Sequence, residues 1–359
     1  MQLEKLVKIA NAIESDWKKA NYCSTRFHEV VWDHTTENTF NSLSDVKSQL
    51  DFIDHQFVRH LQLSSTFSDM FVQLFNNGRF TIEILNWWGG QVNIHDHDFS
   101  AVQFQLKGDA LNVIYDFEDG DRQGALQFGN LKIRNTNIWK EGSRSIVRAG
   151  DVDPHSVLHI GQPCTSLLVR TLPTKRYGAQ SNYFPNLRAH YYVATVMQRK
   201  KLTGLQLLAA SNLDTFTSQL SAYIAQQSLS ENLFMLDKLS SILFQPNMKR
   251  ILFSLVSEHQ EIEELLPALI FNHRSVRLKK IAERSQLSYK QRVQLFTIAA
   301  SPNPEEYYKL IKNLESRHPD LNNLIELSSF SALLSESDFK FINSIFNNLR
   351  ETVAHERPA

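Results

Sequence analysis

The stretch that decides the fold is NWWGGQVNIHDHDFSAVQFQLKG, residues 86–108. Its second half alternates apolar and polar side chains, which is typical of a β-strand with one buried face. Just before that half, His95 and His97 stand on either side of Asp96. Residues two apart on a strand project to the same face, so both imidazoles point to one side of the strand. Because imidazole is a common ligand of first-row metals, the pair indicates a metal site.

The pattern of short strands extends from residue 79 to residue 172. Alternating or apolar runs such as FTIEILNWW, LNVIYDF and TSLLVRTL are separated by turn residues. A late run, GDVDPHSVLHI, offers two more histidines, His155 and His159. Many short strands at close spacing favour a small barrel or sandwich.

The N-terminal part of the chain has the spacing of helices. Leu3 and Leu6 begin one apolar stripe, and a second stripe runs from Val46 to Leu61. Ser42 precedes the second stripe and is predicted to cap its helix. We therefore expect a helical segment before the barrel.

The C-terminal part is also predicted to be helical, with leucines at helical spacing from residue 233 to residue 243. Residues 172–188 contain two prolines and mixed polar residues, and we predict that they form a surface connection. The predicted domains are a helical segment over residues 1–75, a barrel over residues 76–175 and an all-α domain over residues 189–359. Together they give an α+β fold.

The composition is that of an ordinary globular protein. The 359 residues include 38 basic and 38 acidic side chains, so net charge gives no bias toward nucleic acid or anionic lipid. Two cysteines, Cys23 and Cys164, are too few for a disulfide framework. The first residues lack the pattern of a signal peptide, and no apolar run is long enough to span a membrane. We expect a cytoplasmic protein without a membrane segment.

The order of these residues resembles the cupin family over about residues 75–175. The first cupin motif has a glycine, five residues, HxH and a later glycine, and the second has a turn glycine followed by a metal-binding histidine. The matching residues are Gly89, His95, His97, Gly108, Gly150 and His155. The resemblance implies an antiparallel jelly-roll β-barrel that binds a metal.

Within the cupins, the stretch is similar to cysteine dioxygenase and related thiol dioxygenases, which hold ferrous iron with three histidines. Val102 stands where many cupins have a metal-binding glutamate. The resemblance therefore implies Fe(II), or another divalent metal, on His95, His97 and His155. Three neutral ligands leave the ion cationic with open positions, which favours an anion beside dioxygen. The implied function is an oxygenase for a small anionic substrate derived from a thiol or an amino acid.

The chain departs from the thiol dioxygenases around the substrate. Ser166 keeps its place on the strand after the third histidine, whereas Leu168 and Arg170 replace the family's histidine and tyrosine. Met70 stands where cysteine dioxygenase has its substrate-binding arginine. We therefore transfer the metal ligands and not the substrate. Arg170 and Ser166 are candidate catalytic residues, and Arg79 is a second candidate for contact with an anion.

Three other side chains complete the predicted site. Gln103 alternates in phase with the strand and is expected to line the cavity, and Trp87 is expected to wall a substrate pocket. His159 is expected to lie outside the metal's ligand set, as a supporting or core residue.

Other functions fit the same residues. The barrel could bind a ligand without turnover and signal through the helical domain, which would then contact a protein partner or a second copy. A non-oxidative cupin, such as an isomerase, is a third reading. The run RLKKIAERSQLSYKQRVQLF, residues 277–296, resembles a helix-turn-helix, but Gln286 replaces the turn glycine. We favour a solvated helical face there over nucleic-acid binding.

Overall fold

The computed structural model describes residues 3–63, 68–88, 93–174, 176, 178–190, 192–284, 286–321, 330 and 333–356, with side chains as far as residue 347. Gly89, the first glycine of the predicted motif, lies outside the described residues.

Helices occupy both ends of the chain. They are α1 Leu3–Lys19, α2 Phe27–His34, α3 Val46–Ile53, α4 Gln56–Arg59, α5 Val196–Ser211, α6 Leu213–Ile224, α7 Leu229–Leu243, α8 Lys249–Glu258, α9 Leu266–Ala282, α10 Tyr289–Ala300, α11 Pro304–Arg317 and α12 Glu336–Glu356.

Strands fill the region between them. They are β1 Met70–Asn76, β2 Phe80–Trp87, β3 Ile94–His97, β4 Ala101–Lys107, β5 Ala110–Gln123, β6 Leu126–Trp139, β7 Arg144–Val147, β8 Gly150–His159, β9 Cys164–Thr171, β10 Ser181–Phe184 and β11 Leu187–His190.

The strands form two antiparallel arrangements. One is a five-stranded sheet in the order β1-β2-β9-β4-β7, and the other is a closed barrel in the order β10-β11-β6-β5-β8-β3. Helices together with antiparallel strands agree with the predicted α+β class. The assignment of the barrel to the jelly-roll type stays a prediction.

By contacts, the chain divides into two compact units. The first consists of residues 1–116, 133–180 and 278–359, and the second of residues 117–132 and 181–277. The long strands β5 and β6 contribute residues to both units. The three domains drawn from the sequence stay a prediction.

In the first unit, helix α1 buries one face against the sheet. Leu6, Ala10, Ile13 and Trp17 recur at helical spacing and are buried. The ring of Trp17 lies 6.4 Å from that of Phe80 on β2, in an edge-to-face arrangement. Burial of such a stripe stabilises the helix more than its intrinsic propensity does.

The predicted helix over Val46–Leu61 is wrong in its length and its cap. The structure has two short helices, α3 and α4, and both Leu50 and Phe57 are exposed. The cap of α3 is Asp45, whose carboxylate accepts a hydrogen bond from the Ser48 amide. An aspartate directly before the first helical residue satisfies a free amide better than a serine farther away.

The predicted surface connection over residues 172–188 is also wrong in its second half. Strands β10 and β11 form an antiparallel hairpin in the second unit, with Phe184 paired to Leu187 across Pro185 and Asn186. Each strand has only four residues, so its alternation was too short to outweigh the turn residues beside it.

The second unit has a helical core of its own. The leucine stripe predicted for α7 is confirmed, since Leu233, Leu236, Leu239 and Leu243 are all buried. Ser228 caps this helix, and Glu231 reaches back to the Ser228 amide in a capping box.

The structure bears on two functions that the sequence raises, nucleic-acid binding and membrane insertion. Helix α10, the second helix of the candidate helix-turn-helix, is buried from Val293 to Ala300, so this stretch offers no free face to a DNA groove. Among the described residues, no helix combines the length and the apolar character needed to cross a bilayer.

Candidate metal centre

The three histidines of the predicted ligand set meet on two paired strands. His95 and His97 lie on β3, and His155 lies on β8, directly opposite His95 in the antiparallel register. The register shifts between His95 and His97, so β8 carries extra residues opposite Asp96. Such an irregularity bends a strand and re-aims its side chains, which brings the rings of His97 and His155 together.

Their nitrogen atoms are spaced as metal ligands are. One nitrogen from each ring lies within 4.8 Å of the other two, and Nε2 of His97 is 3.0 Å from Nε2 of His155. Nitrogens bound at about 2.1 Å and at right angles are about 3.0 Å apart. Among the residues that the structure describes, this is the group of histidine, cysteine and carboxylate side chains able to hold a metal ion.

Hydrogen bonding prepares His95 to be a ligand. Its Nδ1 lies 3.2 Å from the carbonyl oxygen of Asn93, and a carbonyl can only accept, so Nδ1 carries the proton. Its Nε2 therefore has a free lone pair, as a metal requires. The Nδ1 of His97 is buried without a hydrogen-bond partner in the described part of the chain.

Burial keeps all three rings neutral. Loss of solvation lowers the pKa of His95, lowers that of His97 well below its usual value, and lowers that of His155 to about 3. A protonated imidazole cannot bind a metal, so the site has its lone pairs available at neutral pH. The donor set therefore fits a divalent first-row metal.

We expect the free energy of unfolding of the metal-free protein to fall as the pH falls below about 6.5. His155 and His159 have a pKa of about 3 when folded and the ordinary value of 6.5 when unfolded. Between these two pKa values the unfolded chain binds more protons than the folded protein, so acid favours unfolding. The free energy of unfolding falls by at most about 1.4 kcal/mol per pH unit for each group.

Urea unfolding with a chelator at pH 5, 6 and 7 measures this dependence. The His159→Phe variant should have a shallower slope, by one proton. A stability that does not change between pH 5 and 7 would contradict the expectation.

The three histidines line a cavity of about 60 Å³. Its wall is mostly apolar and aromatic, and it carries no formally charged side chain among the described residues. The lining residues are Leu85, Trp87, His95, His97, Phe99, Gln103, Trp139, Val147, His155, Val157, His159, Ser166 and Leu168. Three of the predicted site residues, Trp87, Gln103 and Ser166, therefore share this cavity with the candidate ligands. The Trp87 indole donates a hydrogen bond to Ser166 Oγ at 3.3 Å.

Arg170 does not line the cavity, because its donors are engaged elsewhere. Its Nε and Nη2 donate to the two carboxylate oxygens of Glu83 at 2.7 and 3.0 Å. Its guanidinium carbon lies 4.9 Å from the centre of the Phe99 ring, and the His97 ring lies 4.5 Å from the same ring. The structure thus places Arg170 behind Phe99 and in an ion pair.

Arg79 lies away from the candidate ligands. Its guanidinium stacks on the ring of Tyr22 at 3.9 Å and lies 3.7 Å from a carboxylate oxygen of Glu14. About half of its side chain is exposed to solvent. It is absent from the described lining of the cavity.

The contact of His159, a cavity residue, with Cys164 was not predicted. His159 stacks on Trp87 with ring centres 4.8 Å apart, and its Nδ1 lies 3.2 Å from Cys164 Sγ. The sequence does indicate a turn here, because Gly161 and Pro163 lie between His159 and Cys164. Such a turn places Cys164 beside His159. The count of two cysteines argues against a disulfide framework but predicts no role for Cys164.

Comparison with known proteins adds little to this geometry. No protein-family model matches the chain, and none of the curated proteins matches it. One similar solved structure is the DMSP lyase DddQ from Ruegeria pomeroyi DSS-3, at 14% sequence identity and a TM-score of 0.23. The match covers 34% of this chain and 60% of that chain, which is less than two thirds of its length. Likeness at this level says nothing about activity.

Proposed function

We propose that this chain is a metal-dependent cupin enzyme, and specifically a non-haem iron oxygenase that acts on a small anionic substrate. The observation that carries the proposal is the convergence of three buried, neutral imidazoles on a small cavity. Without a metal, one of the Nε2 atoms of His97 and His155 donates to the other at 3.0 Å, and the same spacing suits two adjacent ligands of one ion.

Different side chains of this site would have different roles. A ferrous ion on three neutral ligands would supply positive charge and open positions for dioxygen and an anion. The Asn93 carbonyl fixes the tautomer of His95, and the apolar walls exclude water from the reacting groups. Ser166 and Gln103 supply polar contacts to a bound ligand. Arg170 and Arg79 are given no contact with the substrate, because neither belongs to the described lining of the cavity.

The lining favours oxygenase chemistry over an isomerase or lyase that uses a side-chain base. No carboxylate, lysine or tyrosine belongs to the described lining, and burial lowers the pKa of its histidines. A general base works best with a pKa near the working pH. The part of the wall that the structure describes therefore offers no well-matched proton acceptor.

The same lining limits the substrate. A cavity of about 60 Å³ has room for about four to six water-sized groups. Because no charged side chain of the described residues lines the cavity, negative charge on the substrate would be balanced by the metal centre. This supports an anion that binds the metal directly, such as a small thiolate.

We expect iron-loaded protein to consume dioxygen with at least one small thiol. The panel is cysteamine, mercaptoacetate, 3-mercaptopropionate and cysteine, followed with an oxygen electrode and by product analysis. The His97→Ala variant, which lacks one proposed ligand, serves as the control and should show no uptake above free iron.

Two results would overturn the oxygenase assignment. Binding of a thiol without oxygen uptake would indicate a ligand-sensing protein. Product formation under anaerobic conditions would indicate a non-oxidative cupin.

A further inference from the structure

Five polar side chains form a continuous chain of hydrogen bonds that ends at the wall of the cavity. Ser145 Oγ lies 3.2 Å from Gln103 Oε1, and Gln103 Nε2 lies 2.8 Å from Gln105 Oε1. Gln105 Nε2 lies 2.8 Å from Cys164 Sγ, which lies 3.2 Å from His159 Nδ1. The last four are buried, so water does not compete for these bonds.

The direction of this chain is set at Gln105. Its Nε2 also faces the carbonyl oxygens of Lys107 and Gly108, at 3.2 and 2.9 Å. Only the amide nitrogen can donate to two carbonyls, so the amide has one sensible orientation. Its Oε1 then accepts from Gln103, and Gln103 in turn accepts from the Ser145 hydroxyl. The two N–H groups of Gln105 are shared among the Lys107 carbonyl, the Gly108 carbonyl and Cys164 Sγ, and the bonds from Ser145 to Gln103 to Gln105 to Cys164 all run in one direction.

The thiol of Cys164 determines which nitrogen of His159 accepts a hydrogen bond. Cys164 Sγ accepts a hydrogen bond from Gln105 and has its own proton to donate. The His159 Nδ1 is 3.2 Å away, whereas the other acceptor, the Asp109 carbonyl, is 4.0 Å away. Burial raises the pKa of Cys164 to about 12, so the group stays a thiol. With Nδ1 accepting, the proton of the neutral ring resides on Nε2.

The Nε2 side of the ring is available to a ligand. Every second residue of β8 from His155 to His159 lines the cavity, because residues two apart on a strand share a face. These residues are His155, Val157 and His159. The ring lies flat against Trp87, at an angle of 20° between the planes, which fixes its orientation. Since Nδ1 is taken by Cys164, Nε2 is the nitrogen left for the cavity.

We propose that His159 is a specificity-determining residue whose Nε2–H donates a hydrogen bond to an oxygen of the bound ligand. The preferred ligand then carries a metal-binding atom and, beyond it, a carbonyl or carboxylate oxygen. Cys164 and Gln105 are positioning residues that hold the donor tautomer. The inference rests on the proposed function for the presence of the metal, and on the hydrogen-bond chain for the role of His159.

The first test reads the tautomer without any metal. Nitrogen-15 chemical shifts of the imidazole in the metal-free protein should show His159 as the Nε2–H form. A ring that is protonated on Nδ1 would overturn the inference, whether or not the protein binds iron.

The second test compares two thiols that differ by a carboxylate. Cobalt(II)-loaded protein is titrated anaerobically with mercaptoacetate and with ethanethiol, and binding is followed by the cobalt absorption bands. We expect a preference for mercaptoacetate that falls about ten- to hundred-fold in His159→Phe, as loss of a hydrogen bond to a charged group implies. His159→Gln retains an N–H donor and should keep part of the preference.

The positioning role of the thiol is tested in the same assay. Cys164→Ser keeps a proton donor and should preserve the preference, whereas Cys164→Ala should weaken it. An unchanged preference in His159→Phe, with cobalt bound at one equivalent, would overturn the inference and leave the proposed metal site intact. A wild-type protein that binds no cobalt would instead refute the proposed function, while the tautomer measurement would still decide the state of His159.

Discussion

Replacing His97 by alanine is expected to abolish metal binding. Its Nε2 is 3.0 Å from that of His155, so the two rings would supply adjacent ligands, and loss of one leaves an incomplete site. Loss of a residue that only supports a ligand costs about 10–100-fold in metal affinity, and loss of a ligand should cost more. Metal analysis of protein purified without chelators, followed by cobalt(II) titration, measures the effect. His95→Ala and His155→Ala should behave alike.

The matched control is His159→Phe. This residue is also a buried histidine on the wall of the same cavity, but it lies outside the three-histidine group. It should bind one equivalent of metal as the wild type does. If alanine at position 95, 97 or 155 leaves metal binding unchanged, the site is not the one described.

Neutralising Glu83 is expected to cause the largest loss of stability of any single substitution considered. The Glu83 side chain is 2% exposed and the Arg170 side chain 20%, and the pair is bidentate. Removing one partner of a buried pair leaves the other charge uncompensated, at a cost of about 3–5 kcal/mol. Urea unfolding of Glu83→Gln measures this loss.

The surface pair of Arg79 with Glu14 offers a control of the same chemistry. These groups are 3.7 Å apart and partly exposed, so Glu14→Gln should change the free energy of unfolding by less than about 1 kcal/mol. A loss of similar size in both variants would show that burial does not determine the strength of the Arg170 pair.

The closeness of His95 and His97 could be predicted because it depends on local spacing. Two histidines that flank one residue share a face of any strand, whatever surrounds it. His155 required the resemblance as well, because only pairing between β3 and β8 places it opposite His95. The long-range pairing is invisible in a single run of residues.

The role of Arg170 could not be predicted, because its partner lies on another strand. Thr81 is paired with Arg170 in the register of β2 and β9, which places Glu83 on the same face and within reach. A one-residue change of register would have turned Arg170 to the opposite face. The sequence contains both charges but not the register that joins them.

The chain of hydrogen bonds to His159 was missed for a related reason. The alternation of its strand predicts that Gln103 lines the cavity, but the chain of hydrogen bonds continues through Gln105 to Cys164 on β9. Propensity and periodicity describe each strand by itself. They do not show which polar groups meet when strands pack.

At the turn after β8, the backbones of Gly108 and Gly161 lie too close together for larger residues. A Cβ placed on Gly161 would lie 2.7 Å from the Cα of Gly108, and one on Gly108 would lie 3.2 Å from the Cα of Gly161. Gly108 also has a φ of +69°, a backbone conformation that residues other than glycine rarely adopt. A larger side chain at either glycine would therefore force apart the backbones beside His159 and Cys164.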